Sequence, residues 1–288
     1  MTADILHDSR ICALGEGALW HPTRHQFFWF DILGQCLMSQ DASGPLTWRF
    51  PEMVSAAAWV SADVLLIAGE RDLFLFDLIT EEVEVLCELE ADNPGTRSND
   101  GRADRQGGFW IGTMSKGGEM RGKGAIYRYY KGELRVLYPA VSIPNSMCFT
   151  PDGRHAYFSD NFTQNVMKVA LDADGWPMGE PAVFVTLPDG QSPDGATVDA
   201  AGNFCCAIWG GSRVAAYAPD GTLLRDYPFA APHTTCPAFG GPDLATLYCT
   251  TATAGLSEAV LAANPLSGST FQALNAGRGL PEPRFLLV

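Results

Sequence analysis

The sequence has 288 residues, 47% hydrophobic and 18% charged, a balance typical of a compact globular protein and not of a disordered or fibrous one. The net charge of −14 and the isoelectric point near 4.6 disfavour nucleic acid partners, because a phosphate backbone would be repelled. No stretch approaches the ~18 apolar residues of a membrane span, and residues 1–20 lack a signal-peptide pattern, so we expect no membrane partner and a cytoplasmic location.

Short runs rich in Val, Phe, Tyr, Trp and Thr, bounded by Gly, Pro and Asp, recur along the chain and predict strands. Helical periodicity is hard to find before the last thirty residues or so. Two Pro-Asp-Gly triplets, at 151–153 and 219–221, predict hairpin tips, because proline fixes φ and Asp-Gly tolerates positive φ. The chain is therefore expected to be all-β.

The strand runs repeat as a unit, in which a small or polar start is followed by an apolar strand, a turn, an aromatic strand and a weaker strand. The spacing is roughly 40 to 50 residues, the size of one four-stranded propeller blade. The six copies begin near Gly17, Ser55, Asn99, Asn145, Asp194 and Cys236. We predict a six-bladed β-propeller in a single domain over residues 1–288, with residues 4–11 supplying the outer strand of the last blade.

The eight cysteines are scattered, with no C-x-x-C pair and no secretory context, so they are expected to be reduced core thiols. Adjacent Cys205 and Cys206 on one strand would point to opposite faces, which argues against joint metal ligation. Signatures of nucleophilic or nucleotide chemistry are missing from the sequence, and the five histidines show no ligand spacing.

Polar residues instead occupy the starts of the innermost strands, where each blade opens onto the central channel: Glu16, Asn99, Asn145 and Asp194. Each has a plain alternative, since Glu16 could be an exposed edge residue, Asn145 a local cap, and Asp194 part of a Pro-Asp-Gly turn. Matching positions in different repeats favour a shared site. Glutamate, asparagine and aspartate offer oxygen ligands, which suit Ca²⁺, Mg²⁺ or Mn²⁺, with Fe²⁺ or Zn²⁺ possible on geometry.

At these residues the chain resembles the SMP-30/gluconolactonase/luciferin-regenerating-enzyme family, which includes regucalcin and bacterial sugar lactonases. The segments that carry the resemblance are LGEGALWH, RSNDGRADRQGGFWIGTM, IPNSMCFTPDGRHAYFSD, SPDGATVDAAGNFCCAIWGG and FGGPDLATLYCTT. The resemblance implies one divalent metal ion, of unassigned identity among Ca, Zn, Mn, Mg and Fe, held by Glu16, Asn145 and Asp194. It implies substrate contacts from Arg97 and Asn99, and from an acidic residue for which Glu119 is the nearest candidate.

The function so implied is metal-dependent hydrolysis of a sugar lactone, an aldonolactone such as glucono-, xylono-, arabino- or galactonolactone, to the open-chain acid. Asp194 is the candidate proton acceptor for the attacking water, or else a ligand only. Trp110 and Trp209 could stack on a sugar ring, although core positions are commoner for tryptophan.

Two alternatives stay open at this point: an esterase or phosphotriesterase on the same architecture, and a non-catalytic calcium-binding propeller. The expected partner is a small-molecule sugar lactone. The expected assembly is a monomer or a weak homo-oligomer.

Overall fold

A computed structural model describes residues 4–287 and contains six antiparallel sheets of four strands each. We call these sheets blades 1 to 6. Blades 1 to 3 comprise β2 (Gly15–His21), β3 (Gln26–Asp31), β4 (Cys36–Asp41), β5 (Gly44–Arg49); β6 (Ala56–Trp59), β7 (Val64–Ala68), β8 (Asp72–Asp77), β9 (Val83–Glu88); and β10 (Thr96–Ala103), β11 (Phe109–Ser115), β12 (Gly124–Tyr130), β13 (Glu133–Val141). Blades 4 to 6 comprise β14 (Pro144–Phe149), β15 (His155–Asp160), β16 (Asn165–Leu171), β17 (Pro177–Thr186); β18 (Ser192–Val198), β19 (Phe204–Trp209), β20 (Arg213–Tyr217), β21 (Leu223–Pro228); and β22 (Thr234–Gly240), β23 (Thr246–Thr251), β24 (Thr270–Ala273), β1 (Asp4–Asp8).

The first strand of each blade packs against the first strand of the next, and β22 packs against β2 to close the ring. The molecule is therefore a six-bladed β-propeller, as the repeats predict. Each repeat start identified in the sequence lies on the innermost strand of its blade or immediately before it. The helices are short: α1 spans Glu258–Ala263, and a 3₁₀ helix, η1, spans Asn161–Thr163.

The ring is closed by β1, which pairs antiparallel with β24 in a register that joins Asp4 to Ala273 and Leu6 to Phe271. The prediction that residues 4–11 supply the outer strand of the last blade is confirmed, with the strand ending at Asp8. Both predicted hairpin tips are also confirmed, because Gly153 and Gly221 have φ of 68° and 88° and each donates a backbone bond to the residue three positions earlier.

The hydrophobic core consists of six apolar layers, each formed between two neighbouring blades. Cys205 belongs to the layer between blades 5 and 6, whereas Cys206 belongs to the layer between blades 4 and 5. Their side chains thus point to opposite faces of β19, as predicted. All eight cysteines are unpaired, and only Cys87 is not fully buried.

Residues 274–287 follow β24 and run across one end of the channel, bonding to several blades in turn. The Trp59 indole donates to the Glu282 carbonyl at 2.8 Å, and Phe285 enters the layer between blades 2 and 3. Arg105 reaches the Pro281 carbonyl at 3.1 Å. We call residues 274–287 the sealing segment. Because this segment covers one end of the channel, a site open to solvent must lie at the opposite end. No helix within residues 4–287 is long and apolar enough to cross a membrane.

Candidate metal and active site

Irregular pairing on the innermost strands positions the candidate residues. The register between first and second strands shifts from Glu16 to Leu19 in blade 1 and from Asn145 to Cys148 in blade 4. Equivalent shifts occur in blades 3, 5 and 6, whereas blade 2 pairs regularly and contributes no candidate residue. Bulges of this kind re-aim side chains, so that they turn Glu16, Asn99, Asn145 and Asp194 toward the channel.

Small residues next to the candidates make these bulges possible. Gly17 has φ of 57°, and a Cβ there would lie 2.3 Å from the Ser55 carbonyl oxygen. Gly195 lies against blade 6, where a Cβ would meet the Thr235 carbonyl oxygen at 2.8 Å. Asp194 and Gly195 lie inside β18. The alternative in which Pro193-Asp194-Gly195 forms a turn is therefore wrong.

The candidate residues surround a cavity of about 440 Å³ at the open end of the channel. Five residues predicted from the sequence line it: Glu16, Arg97, Asn99, Asn145 and Asp194. The remaining lining residues are Leu14, Met114, Ile143, Asn161, Phe162, Ser192 and Trp209. The alternative of an exposed edge glutamate is wrong for Glu16, because it is only 5% exposed.

The structure does not bring Glu119 into this group. Glu119 lies in the loop between β11 and β12, where its side chain is 75% exposed and pairs with Lys123 at 3.5 Å. The cavity lining does not include it. Its substrate contact stays a prediction.

Glu16 and Asp194 form a pair of buried carboxyl groups. Burial raises the pKa of Glu16 to about 8, with a further contribution from the charge of Asp100. Burial, followed by the charge of Glu16, raises the pKa of Asp194 well above its ordinary value. Within residues 4–287, no Lys, Arg or His nitrogen lies within 4 Å of either carboxylate.

Two buried carboxylates without a paired cation are costly while both are charged. A divalent cation would remove that cost, and Asn145 adds a neutral oxygen from its amide beside them. The residues therefore fit a hard divalent cation. No three His, Cys, Asp or Glu side chains cluster as a metal site in the described part of the chain.

A chain of hydrogen bonds orients the amides of the site. Arg97 Nη1 donates to Asn99 Oδ1 at 2.9 Å, and Asn99 Nδ2 donates to Asn145 Oδ1 at 3.1 Å. Asn145 Nδ2 in turn donates to Asn161 Oδ1 at 3.0 Å. The direction of donation along this amide chain fixes which atom each amide presents, and it leaves the second lone pair of Asn145 Oδ1 for a cation.

Arg97 is buried beside these carboxylates. Burial lowers the pKa of its guanidinium to about 10, although the nearby charges of Glu16, Glu70 and Asp194 oppose that shift. Among residues 4–287, Arg97 bonds through Nη1 alone, to the Ser98 carbonyl and Asn99 Oδ1. The other donors of the fork are available to a ligand in the cavity.

Sequence reasoning missed Asn161 and Asp100. Asn161 follows β15 directly. The sequence feature that could have identified it is the Asp-Asn pair at the end of an aromatic strand. Asp100 is buried next to the site and accepts the Met147 amide at 2.8 Å. The sequence feature that could have identified it is the Asn-Asp-Gly run after Arg97. Of the two tryptophans considered, Trp110 is fully buried in the core, whereas Trp209 lines the cavity.

The fold and site define a six-bladed propeller with an acidic pocket at one channel mouth, and comparison with known proteins agrees. The model of the SMP-30/Gluconolactonase/LRE-like region matches residues 14–253. The chain belongs to this family.

Curated relatives and a solved structure cover nearly the whole chain. L-arabinolactonase of Azospirillum brasilense is 36% identical and covers 98% of this chain and 95% of its own. A 6-deoxy-6-sulfogluconolactonase of Pseudomonas putida is 31% identical, with 94% of each chain covered. The crystal structure of regucalcin from Agrobacterium tumefaciens, described as a calcium-binding protein, is 38% identical with a TM-score of 0.95, covering 99% of this chain and 98% of that one.

Proposed function

We propose that this protein hydrolyses a sugar lactone to its open-chain acid, with a divalent cation held by Glu16, Asn145 and Asp194. The observation that carries the proposal is the buried pair of carboxylates beside an amide oxygen, which faces a cavity large enough for a monosaccharide lactone. Relatives with lactonase activity support the reaction class. A cation bound there would polarise a carbonyl oxygen and offset the negative charge that develops on it.

The side chains of this pocket supply the remaining chemistry. Asp194 accepts a proton from the water whose oxygen bonds to the lactone carbonyl carbon. The bond from that carbon to the ring oxygen then breaks, and Asp194 returns a proton to the departing oxygen. The product is a hydroxy acid that ionises at neutral pH, so each turnover releases one proton to solution.

Arg97 and Asn99 orient the sugar. The free donors of Arg97 suit hydroxyl oxygens, and the Asn99 amide both donates and accepts. Their mutual bond at 2.9 Å holds both groups before substrate arrives, which lowers the entropic cost of orienting the ester.

The experiment follows proton release as chelator-treated protein meets a panel of aldono-1,4- and aldono-1,5-lactones, with each divalent metal added back in turn. We expect rapid acidification that depends on metal. In Asp194→Ala and Glu16→Gln the rate should fall by a factor on the order of 10² to 10⁴.

Asp174→Asn is the matched control, because Asp174 is an exposed carboxylate whose one ion pair in the described residues is with Lys131. It should leave the rate unchanged. If no lactone opens above the spontaneous rate with any metal, lactone hydrolysis is excluded. Metal binding in that case would favour the calcium-binding role described for the Agrobacterium relative.

A further inference from the structure

The open end of the channel carries an ion pair whose two residues are not part of the cavity lining. Glu70 follows β7 in blade 2, and Lys116 follows β11 in blade 3, so each comes after the second strand of its blade. The Lys116 ammonium group donates to Glu70 Oε1. Asn161 follows the second strand of blade 4 in the same way and lines the cavity. The ion pair therefore lies at the same end of the propeller as the cavity.

The ends of β7 and β11 are both bonded close to Arg97 on strand β10. Lys116 donates its backbone N–H to the Gly95 carbonyl at 2.9 Å, just before β10 begins. Ser98 in β10 donates its hydroxyl to the carbonyl of Ala68, the last residue of β7, at 3.3 Å. Both bonds involve residues within two positions of Arg97 in sequence.

Arg97 is influenced by three carboxylates but forms an ion pair with none of them. Burial lowers the pKa of its guanidinium, and the charges of Glu16, Glu70 and Asp194 oppose that shift. Among the residues that the structure describes, no carboxylate oxygen lies within 4 Å of an Arg97 nitrogen. A guanidinium with unused donors is a strong partner for a carboxylate that can turn toward it.

Of the three carboxylates, Glu70 lies between two strands, whereas Glu16 and Asp194 lie within strands. Lys116 binds Glu70 Oε1 and so directs this carboxylate to the end of β11. The Glu70 side chain is only 14% exposed, so water would compensate it poorly if Lys116 were removed. The Arg97 guanidinium, on which the charge of Glu70 already acts, would then supply the missing partner.

We propose that Lys116 is a positioning residue: by binding Glu70 it keeps that carboxylate from pairing with Arg97, and it thereby leaves the Arg97 donors for the substrate. This inference rests on the proposed function, in which Arg97 binds sugar hydroxyls. Without Lys116, a substrate would have to displace Glu70 before it bonds to Arg97. That displacement costs the same in the bound ground state and in the transition state, so KM rises while kcat is unchanged.

The direct test is a crystal structure of Lys116→Met, solved beside the wild-type protein. We expect a Glu70 oxygen at ion-pair distance from an Arg97 nitrogen in the variant, and no such contact in the wild-type protein. This readout does not depend on activity, so it separates a failure of this inference from a failure of the proposed function. A Glu70 carboxylate that stays at the end of β11, or turns into solvent with Arg97 unchanged, would overturn the inference.

Kinetics on the lactone that the wild-type protein hydrolyses give a second test. Lys116→Met should raise KM about five- to tenfold, the scale of one hydrogen bond, while kcat stays within about twofold of wild type. Lys116→Arg keeps the ion pair and should keep the wild-type KM. Lys131→Met is the matched control, because it removes an exposed ion pair with Asp174 from the same blade, and it should leave KM unchanged.

Two double variants separate this role from a general structural one. Adding Glu70→Gln to Lys116→Met removes the carboxylate that competes for Arg97, so KM should return to within about twofold of wild type. In an Arg97→Gln background, Lys116→Met should have no further effect on KM, because the donors it affects are already absent. If KM stays raised in the first double variant, or rises further in the second, Lys116 acts without Arg97 and the inference fails.

Discussion

Both ends of the central channel contain buried carboxylates, but they differ in whether the chain supplies a positive side chain to pair with them. At the open end, Glu16 and Asp194 are 5% and 3% exposed and have no side-chain cation within ion-pair distance in the described residues. At the sealed end, the buried carboxylate of Glu282 pairs with the buried guanidinium of Arg102. Arg97 and Arg102 lie on the same strand, β10, so one strand serves both ends.

The difference indicates which end of the channel would bind a cation from solution. At the sealed end the chain provides its own counter-charge, from residues 180 positions apart in sequence. At the open end Arg97 lies near the carboxylates but directs its internal bonds to Ser98 and Asn99. The carboxylates there are left for a cation from solution. Making the same type of substitution at each end tests this difference between the two ends.

The largest expected effect is opposite in sign for one substitution made at each end. Glu282→Gln leaves Arg102 buried and unpaired, so the free energy of unfolding should fall by about 3 kcal/mol. Glu16→Gln in metal-free protein at pH 7 should raise it by about 1 to 3 kcal/mol. The pKa of Glu16 is raised to about 8 in the folded state, so folding of the glutamate at pH 7 carries a protonation or desolvation cost that glutamine avoids.

Urea denaturation with chelator present measures both values. Glu119→Gln is the surface control and should change stability by less than about 0.5 kcal/mol. A loss of stability in both Glu16→Gln and Glu282→Gln would mean that the two ends do not differ as described.

The second effect is the gain in stability from metal. At an ion concentration about 100 times its Kd, wild-type protein should gain about 2.7 kcal/mol. Asp194→Asn should lose most of this gain, because it removes a charged ligand, whereas Glu282→Gln should keep it in full. Thermal unfolding with and without metal gives the comparison, and an equal gain in Asp194→Asn would place the ion elsewhere.

The smallest effect concerns the end of the amide chain. Asn161→Ala removes the acceptor for Asn145 Nδ2, so Asn145 loses one of the bonds that set its orientation. Metal affinity measured by calorimetry should fall about tenfold. Asn161→Asp retains an acceptor oxygen and should bind metal at least as tightly as wild type. Equal losses in the two variants would show that the bond to Asn161 does not position Asn145.

The open end was far more predictable from the sequence than the sealed end. Glu16, Asn145 and Asp194 lie within one position of each other in the repeat, at the bulge of the innermost strand, and a ring of repeats brings such positions together. The bulges that aim them were not predicted, because a bulge depends on contacts with the neighbouring blade, as at Gly17 and the Ser55 carbonyl.

Contacts that join a blade to a loop, a strand end or the sealing segment could not be predicted from the repeat. Glu119 is in an exposed loop between strands, where no repeat position fixes its direction. The pair of Arg102 and Glu282 joins blade 3 to the sealing segment, which has no counterpart in other blades. Asn161 follows a strand end, and its role depends on the one bond it accepts from Asn145.

Closure of the ring by β1 has a consequence for synthesis of the protein. Asp4, in the first strand of the ring to be made, pairs with Ala273 in β24, the last strand of the ring to be made. At typical translation rates the first strand waits roughly 10 to 60 s for its partner. In the described residues β24 is the strand that pairs with β1, so a chaperone that binds short apolar strands would find Ile5 and Leu6 available until β24 has been made.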